Sequence, residues 1–359
     1  MRIVCFLPDF GGGGAQRTLI NLAACFRQAG HDVTLAAAQR DGPALAWVDP
    51  QLRTVPVGRG QLRNAVLPLA RLIRRQRPEV VLSSVLDANV VAVAARALSG
   101  SRETKLVVRE TNSHRARGDI GRLRQQLTRF SYPRADAVVA LSEGVRQELI
   151  ADYALPPASV VTIHNPIEVD ALSAEAKLAQ TPPVEKNGPW IIGVGRLIRQ
   201  KGFDRLIRAV ADLKRPEMRL VLVGEGPDRD ALAAKARDLG VTLHMPGFVR
   251  QPVHWLAHAD VFVLSSRWEG FGHVIVEAMA AGAPVVAFDC PHGPRDIIVD
   301  GVNGLLVSDG DLAALSGAMA ALLDDRDLAR RLSAAAMADA ARFSSARIAD
   351  SYLKLFSSL

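Results

Sequence analysis

Residues 265–284 read SSRWEGFGHVIVEAMAAGAP. The apolar run Val261 to Leu264 lies just before them, between Asp260 and a serine pair, and reads as a buried strand. A glycine-containing loop, Glu269-Gly270-Phe271-Gly272-His273, follows, and then an apolar helix from about Val274 to Ala281, stopped by Gly282 and Pro284. A loop that opens into a helix offers unpaired backbone N–H groups and the positive end of the helix dipole, which suits a phosphate. Two carboxylates bracket this place: Glu269 before the helix and Glu277 about one turn inside it. They would repel phosphate, so sugar hydroxyls are their natural partners, because an ionised carboxylate can accept from two hydroxyls at once.

Seven residues, GFGHVIV, separate the two acids, and the run continues as EAMAAGAPVV. Acids at this spacing can equally be the two ends of a core helix. With the embedded EGFG and the preceding strand, the segment resembles the Glu-x7-Glu signature of retaining glycosyltransferase family 4. The resemblance extends over nearly the whole chain, with its specific motifs mostly in residues 190–305. It implies an α/β protein of the GT-B fold, two Rossmann-like domains whose parallel sheets face a central cleft.

The rest of the chain agrees with that architecture. Arg2 to Leu7 reads as a strand, Gly11 to Gly14 as a turn, Ala15 to Ala29 as a helix ended by Gly30, and Val33 to Ala38 as the next strand. Four consecutive glycines are not the spaced dinucleotide pattern, so NAD is not expected. Strands follow at 78–83, 106–110, 137–142 and 160–163; the pattern restarts at Trp190 to Val194 and continues through Leu220 to Val223, residues 241–249, Val261 to Leu264 and Pro284 to Ala287. Strands alternating with helices imply parallel sheets covered on both faces. The expected division is a first domain at 1–170, a linker at 171–188 containing Pro182-Pro183, and a donor domain at 189–343, with a helix at 344–359 returning to the first domain.

The 359 residues suffice for two domains, and no window supplies the roughly 18 apolar residues of a membrane span. Cys5, Cys25 and Cys290 form no disulfide or zinc pattern and fit a reducing, cytoplasmic setting. Charge is uneven. Residues 1–180 carry 23 Lys and Arg against 16 Asp and Glu, and between Arg53 and Arg134 the count is 17 against 5, a net of +12. Two basic amphipathic stretches lie there, Leu62 to Arg77 (which Pro68 must kink or split) and Arg115 to Arg134. Each could be a solvated face over a core stripe. Together they favour an anionic membrane surface, approached peripherally from the cytoplasm, and not nucleic acid.

Arg196 and Lys201 stand five apart across a glycine loop after a strand and can both reach one diphosphate, Arg as a fork and Lys as a point charge. GRLIRQKGFDRLI matches the diphosphate loop of the family. By resemblance, Gly195, Arg196 and Lys201 hold the diphosphate, Glu277 the ribose and Glu269 the donor sugar. The amides of Gly270, Phe271, Gly272, His273 and Val274 lie against sugar and phosphate, Phe248 and Val249 edge the base, and Gly13 and Gly14 line the donor side from the first domain. Cys290 to Ile298 resembles members that use galactose-type donors. Asp228-Arg-Asp230 and Asp325-Arg-Asp327 are formal D-x-D matches but read as acidic helix faces, so no metal or other cofactor is expected. Many family members carry a histidine where this chain has Glu110. Glu110 is therefore a further catalytic candidate, His114 its fallback, and a buried ion pair with Arg109 the competing reading.

The expected function is metal-independent retaining transfer of a hexose or N-acetylhexosamine, UDP-linked by first choice, to a lipid-linked or glycan acceptor. A nucleotide-sugar epimerase of the same fold and a non-catalytic nucleotide-sugar-binding subunit are the alternatives.

Overall fold

The computed structural model describes every residue except 12, 40, 59–60, 112, 114, 116–120 and 180. The chain forms two compact units, Met1–Pro166 with Ser345–Leu359, and Ile167–Ser344.

The first unit runs β1 (Arg2–Leu7), α1 (Gly14–Gln28), β2 (Asp32–Ala37), β3 (Arg53–Pro56), α2 (Val66–Gln76), β4 (Val80–Ser84), α3 (Leu86–Ser99), β5 (Lys105–Glu110), α4 (Arg122–Ser131), β6 (Ala137–Ala140), α5 (Glu143–Tyr153) and β7 (Val160–Thr162). Its sheet is parallel in the order β3-β2-β1-β4-β5-β6-β7. β4 is buried along its length and β1 from Ile3 to Leu7, as strands covered on both faces require. Alternation divides their side chains: Val4 and Phe6 pack with Leu69, Ile73 and Ala92, while Ile3, Cys5 and Leu7 pack with Leu19, Phe26 and Tyr352. β3, which sequence reading passed over, is an edge strand and can therefore end in Pro56.

The second unit runs α6 (Val169–Leu178), β8 (Trp190–Val194), α7 (Phe203–Asp212), β9 (Arg219–Val223), α8 (Arg229–Asp238), β10 (Leu243–Gly247), α9 (Val253–Leu256), β11 (Val261–Leu264), α10 (His273–Ala280), β12 (Val285–Asp289), α11 (Pro294–Ile297), β13 (Leu305–Ser308), α12 (Leu312–Asp324) and α13 (Arg326–Ala340). Its sheet is parallel in the order β10-β9-β8-β11-β12-β13. The strand order reverses between β8 and β11, the place beside which sheets of this kind bind their ligands.

The stretch 171–188 is more than a linker. Val169–Leu178 is helical, belongs to the second unit, and hydrogen-bonds Ser173 Oγ to the Ala280 carbonyl at 2.9 Å. The last helix, α14 (Ser345–Ser358), belongs to the first unit, where Tyr352 and Phe356 meet Phe26 edge-on at 6.2 and 5.5 Å.

The two basic stretches turn out differently. Pro68 splits the first into a short 3-10 turn, Leu62–Ala65, and α2, where proline falls in the first turn and its missing N–H leaves no bond broken. α2 buries Leu69, Ala70 and Ile73, and its Arg74 donates to the carbonyls of Leu98 and Ser99 at the end of α3. That stretch is a core helix with a solvated face. The second stretch, α4, buries Thr128 and Ser131 and exposes its large apolar residues.

Candidate active site

The second unit brings its candidates together through the β8–β11 pairing. Val261 and Phe262 register against Ile191 and Ile192, so the loops that leave these strands start side by side. Those loops carry Gly195 to Lys201 and Ser265 to Gly272. Backbone and side chains stitch them: the Arg267 amide donates to the Gln200 carbonyl at 2.7 Å, Ser265 Oγ to the Lys201 carbonyl at 2.9 Å, and Gln200 Nε2 to the Trp268 carbonyl at 3.0 Å. Arg267 reaches back to both oxygens of Asp204 at 2.7 and 2.8 Å, and this pairing holds the Asp204 carboxyl below the usual range.

At the centre of the stitch Lys201 Nζ donates to Glu269 Oε1 at 2.6 Å. Ser266 Oγ donates to the same oxygen at 2.6 Å. Glu269 Oε1 is thus filled, and Oε2 accepts from no described residue. Lys201 has three N–H bonds and spends one here. Arg196 is exposed, and its guanidinium engages no described residue. One carboxylate oxygen, two ammonium N–H groups and a whole guanidinium therefore remain for a ligand.

Backbone fixes Glu269 as well. Its amide donates to the Pro291 carbonyl and its carbonyl accepts from the His292 amide, both at 2.9 Å. This segment after β12 brings up Cys290, whose thiol is pushed upward first by burial and then by the Glu269 carboxylate. Among the described residues no three His, Cys, Asp or Glu side chains converge on one point. Of the D-x-D matches, Asp325 caps α13 by accepting from the amides of Asp327 and Leu328. Asp228 starts α8 directly after the Gly224 to Pro227 turn, nearer a glycine loop than its sequence context suggested.

α10 begins at His273 from Gly272, which sits at φ +102° as its N-cap. No acidic residue lies in the first turn, and no side chain caps it. Phe271 is buried and meets His273 edge-on at 5.7 Å; Val274 is buried, and Glu277 is half-buried one turn along. Phe248, after β10, is 79% exposed and Val249 half-buried, so a large aromatic face stands open at the sheet's end.

The remaining candidates lie in the first unit. Gly13 is the N-cap of α1 and Gly14 its first residue, with Asp9 accepting from the Gly11 amide and from Gln16 Nε2. Glu110 ends β5, is 3% exposed, and accepts from Tyr132 Oη at 2.5 Å and the Thr111 amide at 2.9 Å. Asn89 Nδ2 donates to Tyr132 Oη at 3.1 Å and to the Arg109 carbonyl at 3.0 Å. Burial first, then Glu110, drives the Tyr132 pKa far upward, so the phenol remains a donor. The competing reading, an ion pair between Arg109 and Glu110, does not appear among the described contacts. Consecutive strand residues point to opposite faces, and Arg109 turns instead to Ser84 Oγ at 3.0 Å and to Asn165 Oδ1. His114 lies outside the described residues. Sequence reading missed Ser266 and Tyr132: the first looked like a strand boundary and the second like an apolar neighbour of the basic helix.

The sequence pattern "Glycosyl transferases group 1" matches residues 175–339, and "Glycosyltransferase Family 4" matches residues 12–171. A lipopolysaccharide core biosynthesis glycosyltransferase, LpsE of Rhizobium meliloti, is 30% identical over 357 residues, covering 96% of each chain. The chain belongs to glycosyltransferase family 4. It is a transferase, which sets aside the epimerase and the non-catalytic subunit. A Campylobacter jejuni N-acetylgalactosaminyltransferase named for a diphospho-undecaprenol substrate is 27% identical over 272 residues, 74% of this chain and 73% of its own. Among solved structures, HepE of Anabaena in complex with UDP superposes with a TM-score of 0.84 at 21% identity, and the apo lipopolysaccharide outer core galactosyltransferase WaaB with 0.79 at 20%. Both are matched over their whole length, and the fold of this family 4 glycosyltransferase is GT-B.

Proposed function

We propose that this glycosyltransferase moves a hexose or N-acetylhexosamine from a UDP-linked donor, with retention of configuration and without a metal, to a lipid-linked or glycan acceptor at an anionic membrane surface. The observation that carries the reading is the Lys201–Glu269 pair, which joins a cation suited to a diphosphate and a carboxylate suited to sugar hydroxyls at the switch point of the sheet. A complex of UDP with a structural neighbour supports the choice of nucleotide, and the names of two relatives support lipopolysaccharide or lipid-diphosphate acceptors. No helix among the described residues is long and apolar enough to cross a membrane, and peripheral association from the cytoplasm is part of the proposal.

In this reading Arg196 and the two spare N–H groups of Lys201 hold the diphosphate, with the first-turn amides of α10 behind them. Glu277 accepts from the ribose hydroxyls, and Glu269 Oε2 from a hydroxyl of the sugar. The glycosyl–oxygen bond breaks with its electron pair going to the diphosphate, whose charge these fixed donors offset. The acceptor hydroxyl arrives on the face the phosphate leaves, bonds to the anomeric carbon, and gives its proton to the phosphate oxygen. No protein nucleophile is required. Incubation of a UDP-sugar panel with polyprenyl-diphosphate glycan acceptors, in EDTA, tests all of this. The expected result is product of unchanged anomeric configuration. Inverted product, or activity that returns only with magnesium or manganese, overturns the mechanism.

A further inference from the structure

α4 is built inside out. Its buried side chains are Thr128 and Ser131, and each hydroxyl satisfies itself on a carbonyl of the preceding turn, Arg124 at 2.9 Å and Leu127 at 2.7 Å. Its large apolar residues face outward: Leu123 is 70% exposed, Leu127 37% and Phe130 62%. These stand at i, i+4 and i+7, so they form one stripe along one face. From Gly121 to Arg134 the chain carries Arg122, Arg124, Arg129 and Arg134 and no acidic residue.

Beside the stripe lies a cavity of about 500 Å³, lined by Arg115, Arg122, Gln125, Gln126 and Arg129 with Tyr153 among its walls. Asp152 neutralises Arg115 through a two-point pair and accepts from Arg129 with its backbone carbonyl at 2.9 Å. Arg122 engages no described residue. Among the described residues the cavity thus keeps uncompensated positive charge on Arg122 and a set of N–H donors, the groups that hold phosphate oxygens.

We infer that α4 is the element that docks this enzyme on an anionic bilayer, its Leu123–Leu127–Phe130 stripe entering the boundary between headgroups and acyl chains while the neighbouring cavity takes the phosphate of a lipid headgroup. An apolar stripe flanked by arginines matches a surface that is apolar beneath and anionic above, whereas a protein partner would have to supply both an apolar groove and an acidic rim. The inference rests on the reading that the acceptor is membrane-borne, but its test needs neither donor nor acceptor.

The full chain is sedimented with vesicles of phosphatidylglycerol and of phosphatidylcholine. Binding to phosphatidylglycerol alone is expected, with one part that salt weakens and one that it does not. The variant Leu123→Ser/Leu127→Ser/Phe130→Ser loses the salt-resistant part, weakening binding about tenfold or more. Arg122→Gln/Arg129→Gln loses the salt-sensitive part, roughly fivefold for each arginine, the equivalent of about 1 kcal/mol per basic residue near the headgroups. Arg71→Gln/Arg75→Gln on α2 leaves binding as it was. All of these residues are exposed or part-exposed, so melting temperature and UDP binding report that each variant is folded and that the donor reading stands apart. Parent-like vesicle binding by the apolar variant overturns the inference, as does a loss in the α2 variant equal to that in the α4 variants. Self-association of the parent that the apolar variant lacks, without vesicle binding, overturns it in favour of a second copy. Tight binding of inorganic phosphate by a parent that ignores vesicles overturns it in favour of a free anion.

Discussion

Lys201 and Glu269 spend part of their bonding capacity on each other: the ammonium lies 2.6 Å from one carboxylate oxygen, with side chains 19% and 9% exposed. Each keeps a remainder for a ligand, the lysine two N–H bonds and the glutamate its second oxygen. In the proposed reading the pair fixes the distance between the diphosphate and the sugar before a donor arrives, which is how preorganised charge lowers a barrier without reorganisation.

The pairing separates two cations that sequence alone treats alike. Lys201→Met leaves Glu269 buried and without its counter-charge, so it should destabilise the second unit by about 1–3 kcal/mol and also weaken UDP. Arg196 is exposed and engages no described residue, so Arg196→Met should leave stability within about 0.5 kcal/mol while weakening UDP by a comparable amount. Thermal melts and calorimetry on both variants decide it. Equal melting temperatures would dissolve the distinction.

The two glutamates should part in the same way. If Glu277 accepts from the ribose as proposed, Glu277→Ala should weaken UDP itself. Glu269→Ala releases Lys201 from its partner, so UDP binding should hold or tighten while discrimination between UDP and UDP-sugar is lost. Calorimetry with both ligands reads this directly, and the opposite assignment of losses means that the roles are exchanged.

The second unit was legible in sequence because its candidate residues are local. Glu269, Gly272 and Glu277 fall within one loop and one helix, and Arg196 and Lys201 within another loop. The bond between Lys201 and Glu269 was not, because it depends on β8 and β11 being neighbours, and strand order is a property of the whole sheet. In the first unit the apolar periodicity of α2 and α4 is similar, yet one helix buries its stripe and the other exposes it. Periodicity gives a face but not its direction. The Arg109–Glu110 pairing failed on a rule that sequence does supply: neighbours on a strand cannot share a face.

Glu110 is held at the end of β5 with Tyr132 Oη and the Thr111 amide upon it. Tyr132→Phe leaves a buried acceptor short of its donor and should cost about 1–3 kcal/mol of first-unit stability with UDP affinity unchanged. Glu110→Gln keeps an acceptor for Tyr132 and removes the charge. If Glu110 meets the acceptor or the sugar, this variant loses turnover out of proportion to its melting temperature. Activity that merely tracks stability in both variants makes Glu110 a structural acceptor.

Acid should weaken the second unit through Asp260. Burial alone would raise its carboxyl; Lys186 at 2.7 Å, the Trp190 amide at 2.8 Å and Arg326 at 3.1 Å outweigh that and hold it below its ordinary value. A carboxyl depressed on folding stabilises fully above its unfolded pKa, about 3.9, and the contribution is lost as pH falls through the folded value. Asp260→Asn should therefore start lower in stability at neutral pH and decline less steeply below about pH 4. An acid limb of unchanged slope in the variant would assign the loss to other carboxylates.

The close approach of Gly202 to β11 gives the sharpest test of the stitched loops. Gly202 sits at φ +62°, and a Cβ there would lie 2.0 Å from the Ser265 carbonyl oxygen. Alanine can adopt that φ for roughly 1–2 kcal/mol, but the clash is with backbone and no side-chain rotation relieves it. The loop after β8 must then move off the loop after β11, taking Lys201 from Glu269 and from the Ser265 hydroxyl that anchors its carbonyl. Gly240 supplies the control, because its φ is +68° and nothing lies within 4 Å of the position a Cβ would take. Gly240→Ala should carry only the conformational cost and leave UDP binding intact. Gly202→Ala should cost distinctly more in melting temperature and weaken UDP, although no added atom touches the ligand. Matching losses in the two variants would mean that φ alone is felt at Gly202 and that the two loops are free to separate.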